Sequence, residues 1–299
     1  MKDSKSGLTS GELQMAEMPN LASVILRNLF RSPAGIFGFG LTIIILVCAI
    51  FAPVLAPADP LLQNLTRATI LQLPNLDHLL GTDPLGRDIL SRLFYGARTS
   101  LLVAGSSVAT AVLLGMVLGS LAATLGGWCD RVTMRLMDSM LAFPLMVLAI
   151  TISVALGRGP VGAIIAIAVV NLPTFTRLAR AKTLKINQSQ FMTAATVMGA
   201  GLLWRFVHHI VPNMINTIIV QTSIALAFAV LMESALSFLG LGIQPPTPSL
   251  GFMIAEARNF LTLAPHVVFF PATAIFLIVL GLNLLGDALS DTLDVRKER

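Results

Sequence analysis

The run IFGFGLTIIILVCAIFAPVL, residues 36 to 55, carries no charged side chain. An α-helix rises about 1.5 Å per residue, so a run of this length spans roughly the 30 Å of a bilayer's hydrocarbon core. Five more mostly apolar stretches read at about 99 to 125, 137 to 157, 161 to 180, 215 to 239 and 265 to 288. In lipid the backbone must satisfy its own hydrogen bonds, so each stretch is expected to be a helix. The expected fold class is an all-α membrane protein with six transmembrane helices. Composition agrees: of 299 residues 55% are hydrophobic and only 12% charged, where a soluble domain carries about a quarter charged residues.

The net charge of +5 is not gathered with aromatics on a long polar segment, which argues against nucleic acid as a partner. It reports topology instead. With the N-terminus in the cytoplasm, fourteen of the 20 Lys and Arg fall on the inner side and six on the outer, as the positive-inside rule requires. Both termini are then expected to be cytoplasmic. The first 20 residues lack the apolar centre of a cleaved signal peptide, so the first span is expected to serve as its own insertion signal. Cys48 lies in that span and Cys129 in a short polar loop, so no disulfide framework or metal cluster is expected.

The expected organisation is a cytoplasmic N-terminal segment over 1–35, a first transmembrane helix over 36–56 and an extracytoplasmic segment over 57–98. A five-helix core follows over 99–289, including a cytoplasmic loop at 181–213, and a cytoplasmic tail closes the chain at 290–299. Within the first segment LASVILRNLFR (21 to 31) suits either an amphipathic helix on the membrane surface or a plain lead-in to the span. Gly115 and Gly119, with Ala122 and Ala123, recur at helix spacing on the second span, which lets two helix backbones approach closely.

The 181–213 loop is the most regular polar connection. Phe191, Ala194, Ala195 and Met198 share one helical face; Gly199 and Gly201 interrupt; Leu202, Phe206 and Ile210 then recur every four residues before Pro212, which is expected to stop the helix. Two short amphipathic helices meeting at a glycine turn read as a docking element. Small side chains at Thr193, Ala194 and Ala195 let a partner's groove close around the first helix, and Gly199 permits a turn that a Cβ would resist.

The run TAATVMG from Thr193 to Gly199, with Pro212 thirteen residues on, resembles the EAA loop of ABC-importer permeases, which inserts as a coupling helix into a cytoplasmic ATPase. HLLGTDPLGRDILSRLFYGARTSL (78 to 101), GWCDRVTMRLMDSMLAFP (127 to 144), ESALSFLGLGIQPPTPSLG (233 to 251) and NLLGDALSDTLD (283 to 294) are similar to C-type permease subunits of the dipeptide, oligopeptide, glutathione and nickel group, in the same order along the chain. The resemblance implies a type I ABC importer permease that binds no cofactor itself. ATP and Mg would sit on one or two partner ATPase subunits. A homologous B-type permease would complete the path, a solute-binding protein would deliver cargo from outside, and the bacterial inner membrane would house the assembly. Three positions depart from the family pattern: Thr193 replaces the glutamate that names the motif, Leu250 stands where a tryptophan is usual, and Val295 where a proline often follows. Without the glutamate, Arg205 or Lys185 is expected to supply the polar contacts to the ATPase.

The expected coupling residues are therefore Thr193, Ala194, Ala195, Gly199, Arg205 and Pro212. Glu233 is the sharpest charge at bilayer depth, and a carboxylate there must be paired or face water. A place on the translocation path and a role in tying helices together are both open for it, as for Asp138, Asn171 and Asn283. Asp83 with Arg87, and Asp88 with Arg92, stand at i, i+4 and are expected to form weak surface pairs on a helix. Adjacent on a helix, His208 and His209 diverge by about 100° and read as a solvated or partner-facing edge rather than a metal site. Neither G-x-x-x-x-G-K-[ST] nor H-E-x-x-H nor G-x-S-x-G occurs, so no catalytic residue is assigned. A stand-alone secondary carrier or channel is the alternative, and it would show charged groups along a path and broken helices at the midplane. An intramembrane enzyme would need an inward-facing nucleophile or metal set. Cargo is expected to be peptide, with glutathione, opines and nickel as alternatives.

Overall fold

The computed structural model describes residues 32–66 and 69–294. The 21–31 segment and the tail from Val295 onward lie outside the described residues. Among the described residues five helices are long and apolar enough to cross a membrane: α1 (Pro33–Ile50), α2 (Ile89–Leu125), α5 (Pro160–Asn187), the run Leu202–Phe238 and α10 (His266–Asp294). Two pieces, α3 (Gly127–Leu141) and α4 (Leu145–Leu156), are together long and apolar enough to make a sixth, and they meet at an angle of 98°.

That bend corrects the expectation of one straight span over 137 to 157. Pro144 has no N–H to continue the ladder and disfavours a helical Phe143 before it, so the chain turns at Ala142–Pro144. At about 1.5 Å per residue the twelve residues of α4 extend only about 18 Å, less than a hydrocarbon core.

α2 also begins earlier than the apolar run at 99. Asp88 caps it, its carboxylate accepting from the Ser91 N–H at 2.7 Å, and the helix continues for 37 residues. The small-residue spacing has the consequence expected of it. A Cβ on Gly115 would stand 2.6 Å from the Phe175 Cβ, and one on Gly119 only 2.2 Å from the Thr176 carbonyl oxygen, so α2 and α5 pack backbone to backbone. α1 is held to α10 in the same way, Gly38 lying against Leu284. The enclosed core is built on small residues such as Ala104, Ala111 and Ala166, with Ile167, Phe175 and Leu236 filling between them.

Residues 57–66 and 69–88 wrap one end of the bundle in turns. His266 at the start of α10 meets the Gln72 carbonyl at 3.0 Å, and Gln72 N–H donates to the Thr82 hydroxyl at 2.9 Å, which fastens this wrap to the last helix. At the other end α5 runs through Asn187 into α6 (Gln190–Val197). α7 (Leu202–Arg205) then leads through a π-helical turn, Phe206–Ile210, into α8 (Val211–Phe238). Pro212 therefore does not stop a helix, contrary to expectation. It sits in the first turn of α8, and the wider turn before it accommodates the missing N–H and the bulk of its ring. Between α8 and α10 lie a short α-helix, α9 (Leu250–Ala257), and the 3-10 turn that continues it, Arg258–Phe260.

Candidate coupling site

α6 is seated by two side chains, Met192 and Ala195, both buried. Phe191 and Met198, which share a helical face with Ala195 in the sequence pattern, are exposed. The helix closes in a Schellman arrangement. Ala200 N–H donates to the Ala195 carbonyl at 3.0 Å and Gly199 N–H to the Thr196 carbonyl at 3.0 Å, with Gly199 at φ +82°. No atom lies within 4 Å of where a Cβ on Gly199 would be, so glycine is required there by backbone conformation and not by space.

The two arms are tied together across this turn. Arg205 Nη1 donates to the Thr196 hydroxyl at 2.9 Å. Trp204 stacks on His208 at 4.9 Å and meets His209 edge-on, while Phe191 approaches His209 from α6 at 5.6 Å. The two histidines thus belong to an aromatic cluster that stiffens the loop. Asn213 Nδ2 donates to the His209 carbonyl at 2.7 Å, satisfying an acceptor within the π turn. Thr193 is exposed and its hydroxyl turns back to the Ser189 carbonyl at 3.2 Å, so the position presents no charge.

What the loop presents is apolar. Val197 is 83% exposed, Met198 85% and Leu203 74%, with Trp204 half exposed beside them. Behind them a cleft of about 250 Å³ separates α2 at Val117 and Leu121 from Leu202 and Phe206. The loop is therefore internally braced, yet not packed solid against the bundle.

The four polar residues expected at depth do not come together. Asp138 is exposed on α3 and ion-paired with Arg177 of α5. One helical turn along α5, Arg180 binds Asp130, its Nη2 donating to Oδ2 at 2.6 Å. These two pairs hold α3 across the end of α5 that carries the loop. Asn171 is buried and donates to the Ile167 carbonyl of its own helix at 2.9 Å, and Asn283 is half-buried on α10.

Glu233 is fully buried and accepts three hydroxyls: Ser100 of α2 on Oε2 at 2.6 Å, with Ser237 at 2.7 Å and Ser249 at 3.2 Å on Oε1. It joins α2, α8 and the start of α9. α8 starts at the loop, and Glu233 lies 22 residues farther on, about 33 Å along the axis.

The expected surface pairs at 83 to 92 are corrected. Asp83 and Arg87 do pair, at 2.6 Å, but in a turn and almost completely buried. Arg92 does not pair with Asp88. Its Nη1 lies 3.3 Å from Asp83 and its Nη2 donates to Glu256 Oε2 at 3.0 Å, the same oxygen that Arg87 Nη2 reaches at 2.8 Å. Asp88 is occupied as the cap of α2 and by His78 at 3.0 Å. Glu256 escaped the sequence reading because it is 164 residues from Arg92, where no local spacing could link them. Asp130 and Arg180 were likewise visible only as scattered loop charges.

Two comparisons bear on these sites. Residues 80–299 match the family described as binding-protein-dependent transport system inner membrane component, and residues 20–74 match the N-terminal transmembrane domain of oligopeptide transport permease C. The chain is 41% identical over 268 residues to a dipeptide transport system permease protein of Alkalihalophilus pseudofirmus, covering 90% of this chain and 88% of that one. It is 44% identical over 256 residues to a di/tripeptide transport system permease protein of Pseudomonas aeruginosa, 84% of each. To a glutathione transport system permease protein of Escherichia coli it is 43% identical over 256 residues, 84% of this chain and 83% of the relative.

Proposed function

The chain belongs to the family of binding-protein-dependent transport system inner membrane components, and from that premise we propose that its Gln190–Arg205 loop is the seat of a separate ATPase. The observation that carries the reading is the exposed apolar surface of Val197, Met198, Leu203 and Trp204 on a loop braced by Arg205, Thr196 and the aromatic cluster. A braced surface transmits displacement, whereas a floppy one absorbs it.

The loop and the termini then lie on the cytoplasmic side of the inner membrane, and the wrap formed by 57–66 and 69–88 on the outer side. ATP and Mg are held by one or two ATPase chains, a B-type permease supplies the other half of the path, and a solute-binding protein delivers cargo to the outer face. Closure of the ATPases around nucleotide draws the two permeases' loops together and shifts the population from inward-open to outward-open. Thr193 contributes its small volume at the contact in place of a charge, and the polar contact comes from Arg205 or Lys185. Gly199, Ala194, Ala195 and Pro212 set the shape of the loop.

The cargo is a short peptide, glutathione included; the relatives named for dipeptide, di/tripeptide and glutathione transport support it. The test is reconstitution of the chain with its chromosomal neighbours, followed by ATP-dependent uptake of labelled dipeptide, glutathione and nickel. Uptake of nickel alone would reassign the cargo. Transport by this chain without any ATPase would overturn the reading in favour of a secondary carrier.

A further inference from the structure

Once Asp130 and Asp138 are taken by Arg180 and Arg177, α3 is left with two cations and no acid to answer them. Trp128, Arg131, Val132, Arg135, Leu136 and Ser139 recur at helix spacing and are all exposed, while Met137 on the opposite face is buried. Trp128 is 75% exposed and Leu136 57%. The Arg131 guanidinium stands 6.0 Å from the centre of the Trp128 ring, and its Nε donates to the Gly127 carbonyl at 3.2 Å, which leaves both Nη groups free among the described residues. Arg135 makes no ion pair or side-chain hydrogen bond among the described residues, and Asp138, three residues on, is occupied by Arg177.

The height of this face follows from what holds α3. α5 carries no charge from Pro160 to Thr176, and Arg177 and Arg180, the residues that bind α3, are its first cations. α2 likewise carries no charge from Thr99 to Leu125, and it turns into α3 through Gly126. α3 therefore begins and is fastened where two uncharged runs end, the level at which hydrocarbon gives way to headgroups. α4 packs along α5 and α3 leaves it at 98°, so α3 lies along the membrane and not through it. A helix so placed, with a tryptophan, apolar residues and arginines on its free face, sits in the headgroup layer. Arginine at that level must meet water or an anion, and the fork of a guanidinium matches two oxygens of a phosphate.

We propose that the free face of α3, Trp128 with Arg131 and Arg135, is a binding site for the phosphate of an anionic phospholipid in the leaflet on the coupling-loop side. Residues i and i+4 on a helix stand about 6 Å apart, so Arg131 and Arg135 converge on one phosphodiester. Val132 and Leu136 lie beside the upper acyl chain, and the Trp128 ring marks the boundary between chain and headgroup. Charge selects the lipid. A zwitterionic headgroup brings its own ammonium and leaves the arginines unneutralised, whereas an anionic one does not. α3 is then fastened on both sides, its acids by α5 and its arginines by lipid, which steadies the end of α5 that carries the loop. The site rests on the membrane placement of the bundle and not on the ATPase reading.

The test uses the full chain carrying Trp204→Phe, so that Trp128 is its single tryptophan, reconstituted in phosphatidylcholine vesicles. Brominated phosphatidylglycerol or brominated phosphatidylcholine is added at the same mole fraction, and quenching of Trp128 shows which lipid lies against it. The phosphatidylglycerol is expected to quench about twofold more strongly. Arg131→Gln with Arg135→Gln should abolish that excess, and Arg131→Lys with Arg135→Lys should keep most of it. Lys2→Gln with Lys5→Gln, which removes the same charge elsewhere, should leave it intact. Equal quenching by the two lipids would overturn the site, as would an excess that survives the glutamine pair. Quenching by neither lipid would place the face against protein, and so would loss of ATPase co-purification in the glutamine pair with its lipid preference unchanged; either result overturns the proposal.

Discussion

The two ends of the bundle are built on opposite plans. Around Arg92 and Glu233, charged and hydroxyl groups are buried and answered by other parts of the same chain, across separations of 133 and 164 residues. Within the loop around Trp204 and Met198, hydrogen bonds are local, the longest named one spanning nine residues; beside it the pairs of Arg177 with Asp138 and Arg180 with Asp130 reach across 39 and 50 residues, and the loop's outward surface is apolar and uncovered. Buried charge is costly unless its partners are in place, so the first end specifies its own geometry. The loop end is complete in its bracing and incomplete in its burial, as the docking role proposed for it requires.

The harshest way to break this contrast is to strike the self-contained end. Arg92→Met leaves Glu256 and Asp83 facing Arg87 alone in a buried site, and removing one partner of such a network costs about 3–5 kcal/mol. The expected result is a large fall in folded yield and in the thermal midpoint of the purified chain. Arg92→Met combined with Glu256→Met should recover most of that loss. If the single variant melts as the parent does, the cluster is not a specifying element.

A smaller loss tests the middle of the molecule. Gly119→Val would set its Cβ 2.2 Å from the Thr176 carbonyl oxygen and force α2 away from α5, an overpacking that typically costs about 1–3 kcal/mol. Thermal unfolding should show it, and Gly105→Val, where no atom lies within 4 Å of the added Cβ, should not.

These cases also mark what could be read without coordinates. Gly115 and Gly119 were legible because close helix approach needs small residues at a fixed local spacing. The crossings were legible because lipid demands long apolar runs. Glu233 was visible as a charge at depth, but its partners Ser100 and Ser249 look like any serines until the chain folds. Pro212 misled and Pro144 went unread for one reason: a missing N–H interrupts a ladder without saying how the chain responds. At Pro144 it turned by 98°, inside a run whose apolarity suggested a straight span. At Pro212 it widened by one π turn and went on.

At the loop end, stability and coupling should come apart. Gly199→Ala meets no atom, so its cost is the left-handed backbone alone, about 1–2 kcal/mol. That should leave the chain folded while distorting the turn that aligns α6 with α7. Membrane yield near the parent's, with transport sharply reduced, is the expected outcome; unchanged transport would remove Gly199 from the coupling residues.

The smallest expected effect on folding is the most informative about partners. Val197 and Met198 are more than four-fifths exposed, so replacing both with serine should change stability by no more than about 0.5 kcal/mol. If an ATPase covers them, the same change removes apolar area from the centre of an interface, where a few residues carry most of the binding energy. Co-purification of the ATPase should then fall by about tenfold or more, while the thermal midpoint of the isolated chain stays put. Should the ATPase bind as before, the uncovered surface belongs to some other contact, and the contrast between a closed end and an open one loses its functional meaning.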